Sequence, residues 1–115
     1  MMTDKPFFVA GFVEAAVFTA PEESLEAMIS GASRDALERF AGSFYDANEA
    51  AISEYSEGVV QAGRDLWFTL GGHGVGYWEN AGEPAADALD AAAKPNRHDD
   101  GLYEGDDGLL HWEGV

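Results

Sequence analysis

An apolar stripe in the middle of the chain constrains the fold more than any other feature. Between Arg34 and Ala62, the residues Leu37, Phe40, Ala41, Phe44, Ala51, Ile52, Tyr55 and Val59 recur mostly at steps of three and four. That period puts them on one side of an α-helix. The spacing predicts one long amphipathic helix over about residues 34–62, with Ser33 capping its start and Gly63 its end. Gly42 and Gly58 fall inside it at modest cost. A helix with one apolar side needs a second layer to cover it, and the remaining segments must supply that layer.

Residues 6–18 are nearly all apolar. Asp4 and Pro6 suit a helix start, whereas the β-branched and aromatic content leaves a strand open. Residues 19–33, with Pro21, Ser30 and Gly31, read as a loop with one helical turn around Glu23–Ile29. After Gly63 the period changes. Leu66, Phe68 and Leu70 alternate with Trp67 and Thr69, which predicts a strand near residues 65–70. The glycines at 71, 72, 74 and 76 read as a turn, and Val75 to Glu79 as a second strand. Pro84 opens a short helix with Ala85, Ala88, Leu89 and Ala92 on its core side, ended by Pro95 and Asn96. Residues 101–104 and 109–113 flank Gly105-Asp106-Asp107-Gly108, a hairpin turn signal. The expected fold is a single α+β domain over residues 1–115: N-terminal helices on a small antiparallel sheet, with one short inserted helix.

Length and composition bound the rest. A chain of 115 residues can bury a core without disulfides, and it has no cysteine to form them. Apolar residues make up 46%, including 7 Phe, 4 Tyr and 3 Trp, which excludes a disordered acidic tail. The net charge is −16, and residues 1–63 and 64–115 each carry 11 acids and 3 bases. Such charge destabilises the compact state by self-repulsion. It also argues against direct binding to nucleic acid or to an anionic membrane, both of which need basic patches. Either a basic partner or life at high salt would account for it. The longest apolar run, Phe7 to Val13, is too short to span a bilayer, and no basic flank of a signal peptide precedes it. The expected location is cytoplasmic.

The run Gly63-Arg64-Asp65-Leu66-Trp67-Phe68-Thr69-Leu70-Gly71-Gly72-His73-Gly74-Val75-Gly76-Tyr77-Trp78-Glu79 resembles a segment of small proteins of tailed phages and prophages. In those proteins a GHG-containing stretch is followed by an alanine-rich helix and an ending similar to Leu102-Tyr103-Glu104-Gly105-Asp106-Asp107-Gly108 here. The resemblance covers about the second half of the chain. Leu70-Gly71-Gly72 stands where the family usually has a basic and an amide residue before the GHG. The resemblance implies a phage origin, and hence the cytoplasm of an infected host cell; it brings no activity with it.

No motif marks a catalytic centre. His73 lies in a glycine-rich run, but phosphate-binding loops need a helix where a strand is expected here. His73, His98 and His111 match no zinc spacing; a small metal-dependent enzyme using His73 and His111 is the weakest reading. Asn96 to Asp107 resembles a calcium loop, but His98 stands third and no Glu stands twelfth. No serine lies in a nucleophile elbow. The sequence therefore points to a binding protein without cofactor or metal.

The candidate binding residues are carboxylates and an aromatic anchor. Asp35, Glu38, Asp46, Glu49 and Glu57 fall on one face of the expected long helix. Such a line would be roughly 33 Å long. One turn of B-DNA is about 34 Å. Trp78 is the expected exposed anchor, and Asp106 and Asp107 extend the acidic surface at the hairpin. The leading expectation is a phage-type inhibitor that presents carboxylates to a basic, nucleic-acid-binding defence protein of the host, as an anti-CRISPR or anti-restriction protein would. The second is a phage accessory or structural protein whose acidity serves solubility or high salt.

Overall fold

The computed structural model describes residues 4–19, 31–71, 76–96, 102–104 and 109–112. Four helices carry these residues: α1 Asp4–Phe18, α2 Gly31–Glu54, α3 Val59–Gly71 and α4 Pro84–Ala93. Short 3-10 turns at Tyr77–Asn80 and Lys94–Asn96 flank α4. Two three-residue strands, β1 Leu102–Glu104 and β2 Leu110–Trp112, pair antiparallel with Leu102 opposite Trp112. The protein is a helical bundle, which corrects the expected α+β fold. The three-residue ladder is not a sheet layer on which the helices pack, but its second strand adds Trp112 to the helical core.

Of the two readings of residues 6–18, the chain takes the helix. A helix apolar on nearly every side has to be covered on several. α2 packs antiparallel along α1: Lys5 meets Asp46, Phe8 stacks on Phe44 at 6.2 Å and Phe12 lies 5.7 Å from Phe40. α3 covers another side so closely that backbones touch. A Cβ on Gly11 would collide with the Val60 carbonyl oxygen, and one on Gly63 with that of Phe8. Glycine inside a helix costs about 1 kcal/mol against alanine. Here it makes room for the α1–α3 seam.

The stripe from 34 to 62 is two helices, not one. α2 ends at Glu54, residues 55–58 turn, and α3 begins at Val59. Gly58 takes φ +95° in that turn, a left-handed conformation that only glycine adopts at little cost. The break thus falls at Gly58, and Gly63 lies inside α3. α2 is itself kinked at Asn48 (φ −131°, ψ 24°), whose side-chain amide donates to the Phe44 carbonyl at 2.9 Å. Ser33 is not the cap of this helix. It lies within the first turn, and its hydroxyl oxygen accepts the Trp112 N–H at 3.0 Å, tying β2 to α2.

Residues 65–70, expected as a strand, form the middle of α3, and Tyr77–Asn80 is a 3-10 turn where a second strand was expected. Leu66, Trp67, Thr69 and Leu70 are all buried, because α3 is enclosed by α1, α2 and α4 together. The less buried face of α3 is Gln61, Arg64, Phe68 and Gly71, at steps of three, four and three, but within residues 65–70 it shows only as Phe68, so that short run does not report the helical period. The short helix from Pro84 is present as α4, with Ala85, Ala86, Leu89 and Ala93 inward and Ala88 exposed. The helical turn expected at 23–29, the glycine turn at 72–75 and the hairpin turn at 105–108 lie outside the described residues.

Candidate functional site

The two halves of the sequence are equally acidic, yet the folded molecule is not evenly charged. Residues 40–63 carry Asp46, Glu49, Glu54 and Glu57 and no base. Residues 76–93 carry Glu79, Glu83, Asp87 and Asp90 and no base. The fold brings these two stretches together, since α4 and the Tyr77–Asn80 turn pack chiefly on α2 and α3. By contrast, residues 4–19 and 31–39 hold four acids against Lys5, Arg34 and Arg39. The two stretches together make a carboxylate-rich surface; Arg39, Arg64 and Lys94 adjoin them in sequence, and Lys5 touches Asp46.

Hydrogen bonds beneath this surface fix its parts. The Ser56 N–H and hydroxyl donate to the two carboxylate oxygens of Glu83 at 2.9 and 2.7 Å, joining the 55–58 turn to the start of α4. Deeper, the Tyr55 hydroxyl donates to Asp65 at 2.5 Å and accepts from the Asn80 amide at 3.1 Å. Gln61 donates to the second oxygen of Asp65 at 2.9 Å. The Tyr77 hydroxyl donates to the Ala62 carbonyl at 2.7 Å, and its N–H donates to the Thr69 hydroxyl at 3.0 Å. Burial, then the bond to Asp65, pushes the Tyr55 phenol far above its ordinary 10.0. Burial, then the Asp65 charge, raises that of Tyr77.

The expected binding residues divide between this surface and the rest of α2. Asp35, Glu38, Asp46 and Glu49 lie exposed on α2, but Glu57 lies in the turn beyond it. The unbroken row of carboxylates is therefore lost, interrupted by the kink at Asn48 and the end of α2 at Glu54. Two members are also partly neutralised: Asp46 pairs with Lys5 at 3.0 Å and Glu38 with Arg34 at 3.7 Å. Trp78 is 37% exposed on the 3-10 turn beside Glu79, while its neighbour Tyr77 is fully buried. Asp106, Asp107, His73 and His98 lie outside the described residues, as does the side chain of His111. Sequence reasoning overlooked Glu54, Glu79, Glu83, Asp87 and Asp90. The signal for them was the two base-free stretches, which matter only once the fold joins them.

Comparison with protein-family models, with curated proteins and with solved structures gave no match. Among the described residues, no group of three or more His, Asp or Glu is placed to hold a metal ion. No described helix is long and apolar enough to cross a membrane.

Proposed function

We propose that the acidic surface binds a basic, nucleic-acid-binding protein, and that the chain is a phage-type inhibitor of a host defence complex. The observation that carries this reading is the segregation of charge. Two stretches that carry eight carboxylates and no base of their own pack together, with Trp78 exposed in one of them, although Lys5 reaches across to Asp46. Acidity kept only for solubility or high salt has no reason to be sorted in this manner. A carboxylate surface around an aromatic anchor suits a site built for phosphates, with fast, salt-sensitive association. The acidic surface takes the place of the single helical row as the phosphate substitute.

The test uses the full chain as bait in a bacterial host lysate, with Glu54→Lys, Glu57→Lys and Glu79→Lys combined as the variant. The parent is expected to retain nucleic-acid-binding proteins and to release them when excess duplex DNA or RNA is added. The variant is expected to lose them while keeping its helical circular dichroism. Retention that is equal for both, or indifferent to nucleic acid, overturns the reading. Structure that forms only above about 1 M salt would favour the high-salt explanation instead.

A further inference from the structure

The 3-10 turn at Tyr77–Asn80 is pinned on both sides of Trp78. Before it, the Tyr77 N–H donates to the Thr69 hydroxyl at 3.0 Å and the Tyr77 hydroxyl to the Ala62 carbonyl at 2.7 Å, both on α3. Tyr77 is fully buried and Thr69 nearly so. After it, the Asn80 amide donates to the Tyr55 hydroxyl at 3.1 Å. Within the turn, the Glu79 N–H reaches the Gly76 carbonyl and the Ala81 N–H that of Trp78, each at 3.1 Å. Trp78 itself stays 37% exposed. One edge of its ring lies against Gly76: a Cβ there would come 2.8 Å from Cζ3, 3.2 Å from Cε3 and 2.5 Å from the Thr69 hydroxyl oxygen. The indole and the hydroxyl together occupy the space that a side chain at 76 would need. The Gly76 backbone, at φ 147° and ψ −160°, is in a region that glycine alone enters freely.

We propose that Thr69 and Gly76 are positioning residues, which set the Trp78 indole in one orientation before a partner arrives. The inference rests on the proposed function, in which Trp78 is the anchor of the acidic surface. An aromatic side chain fixed in advance loses less conformational freedom on binding, so its contacts give more affinity. Anchors of this kind carry a large share of the binding energy of an interface. Thr69 acts through the backbone, by holding the N–H next to Trp78. Gly76 acts through space, by leaving the indole room to lie flat against the chain. Neither residue has to meet the partner, since both are buried. A merely stabilising role differs: loss of either residue would lower the unfolding midpoint and leave the Trp78 ring in place.

Fluorine NMR of the full chain labelled with 5-fluorotryptophan separates the two. It should show one resonance each for Trp67, Trp78 and Trp112, with that of Trp78 identified by Trp78→Phe. Gly76→Ala should move the Trp78 resonance toward its position in the urea-unfolded chain. Thr69→Val, which lacks the hydroxyl, should do the same, and it decides alone if Gly76→Ala does not fold. The Trp67 and Trp112 resonances should stay in place, reporting an intact core, since both rings are buried. Thr69→Ser keeps the acceptor and should restore the parent Trp78 resonance. Retention of the host nucleic-acid-binding proteins that duplex DNA releases should fall at least about fivefold for Gly76→Ala and Thr69→Val, as for Trp78→Ala. A Trp78 resonance unmoved in both variants overturns the proposal, as does one displaced equally by Thr69→Ser. So does a resonance that moves without loss of retention, which leaves the proposed function standing. A parent that retains no such protein overturns the proposed function, and the anchor role of Trp78 with it.

Discussion

The bundle is held in two different ways at two places. Along the α1–α3 seam and around it, contact is dry: Phe8, Phe12, Phe40, Phe44, Trp67 and Trp112 meet ring to ring, with Phe12 and Trp67 edge to face at 5.6 Å. Where α2 turns into α3, contact is polar, through Tyr55, Asp65, Gln61, Tyr77 and Asn80. The first place uses shape and tolerates no added volume. The second uses directional bonds and tolerates the loss of one better than an unpaired remainder. This difference orders the effects of substitution. It also explains the position of the acidic surface, which rests on the bonded region and so is held in one geometry despite its own repulsion.

The dry region should break first and furthest. Gly63→Val places branched carbon against the Phe8 carbonyl with no flexible side chain to yield, and should leave no cooperative thermal transition. Phe12→Ala, at a ring with no exposure, should cost ~3–5 kcal/mol in denaturant unfolding. A loss below about 1 kcal/mol for either would show that the seam can relax and that the contrast is overstated.

The same contrast decides what was legible in the sequence. The helix at Pro84 and most of α2 show their period, because each keeps a polar face that exposes the pattern. α3 hides its period, because its open face continues past Gln61 and Arg64 as Phe68 and Gly71, which are not polar, and Leu66–Leu70 reads equally well as alternation. Gly58 and Gly63 look alike in sequence: one breaks a helix by its positive φ and the other admits a neighbouring backbone, and only the packing tells them apart. The exposed carboxylates of α2 were legible one by one. Their arrangement was not, because it depends on α4 folding back against α2.

In the polar region, single and paired changes should differ in kind. Asp65→Ala leaves the Tyr55 hydroxyl and the Gln61 amide without their acceptor and should cost about 2–3 kcal/mol. Tyr55→Phe removes the donor to Asp65 and the acceptor of the part-buried Asn80 amide but leaves Gln61 on Asp65, so about 1–2 kcal/mol is expected. The double variant should fall short of the sum, since both changes remove the same bond. Strict additivity would mean that the short Tyr55–Asp65 contact adds nothing to folding.

Alkali should act on the same region. In the unfolded chain the phenols ionise near 10.0, whereas in the folded protein Tyr55 and Tyr77 stay protonated to higher pH. Their contribution is fully present below pH 10.0 and is lost as pH rises above it. Urea midpoints should therefore be flat with respect to these groups up to about pH 10 and fall beyond it. Tyr55→Phe should lessen the fall. An equal alkaline fall in that variant would place the sensitivity elsewhere.

The smallest effect tests how the acidic surface is held. Ser56 bonds Glu83 twice, once through its backbone and once through its hydroxyl, and both residues are at least partly open to water. Ser56→Ala removes only the hydroxyl bond. At an exposed site water replaces much of what is lost, so stability should change by about 0.5 kcal/mol or less. The backbone N–H still reaches Glu83, which keeps the 55–58 turn against α4. Glu83→Ala removes both bonds and one negative charge from a repelling cluster, two effects of opposite sign. At low salt the relief of repulsion should offset the lost bonds, and at ~1 M salt, where that relief is screened, Glu83→Ala should become the more destabilising of the two. Chemical denaturation with urea at both salt concentrations reads this directly. If the two variants keep the same order and spacing at both salts, Glu83 acts only as a hydrogen-bond acceptor, and repulsion among the eight carboxylates is too weak to matter to the fold.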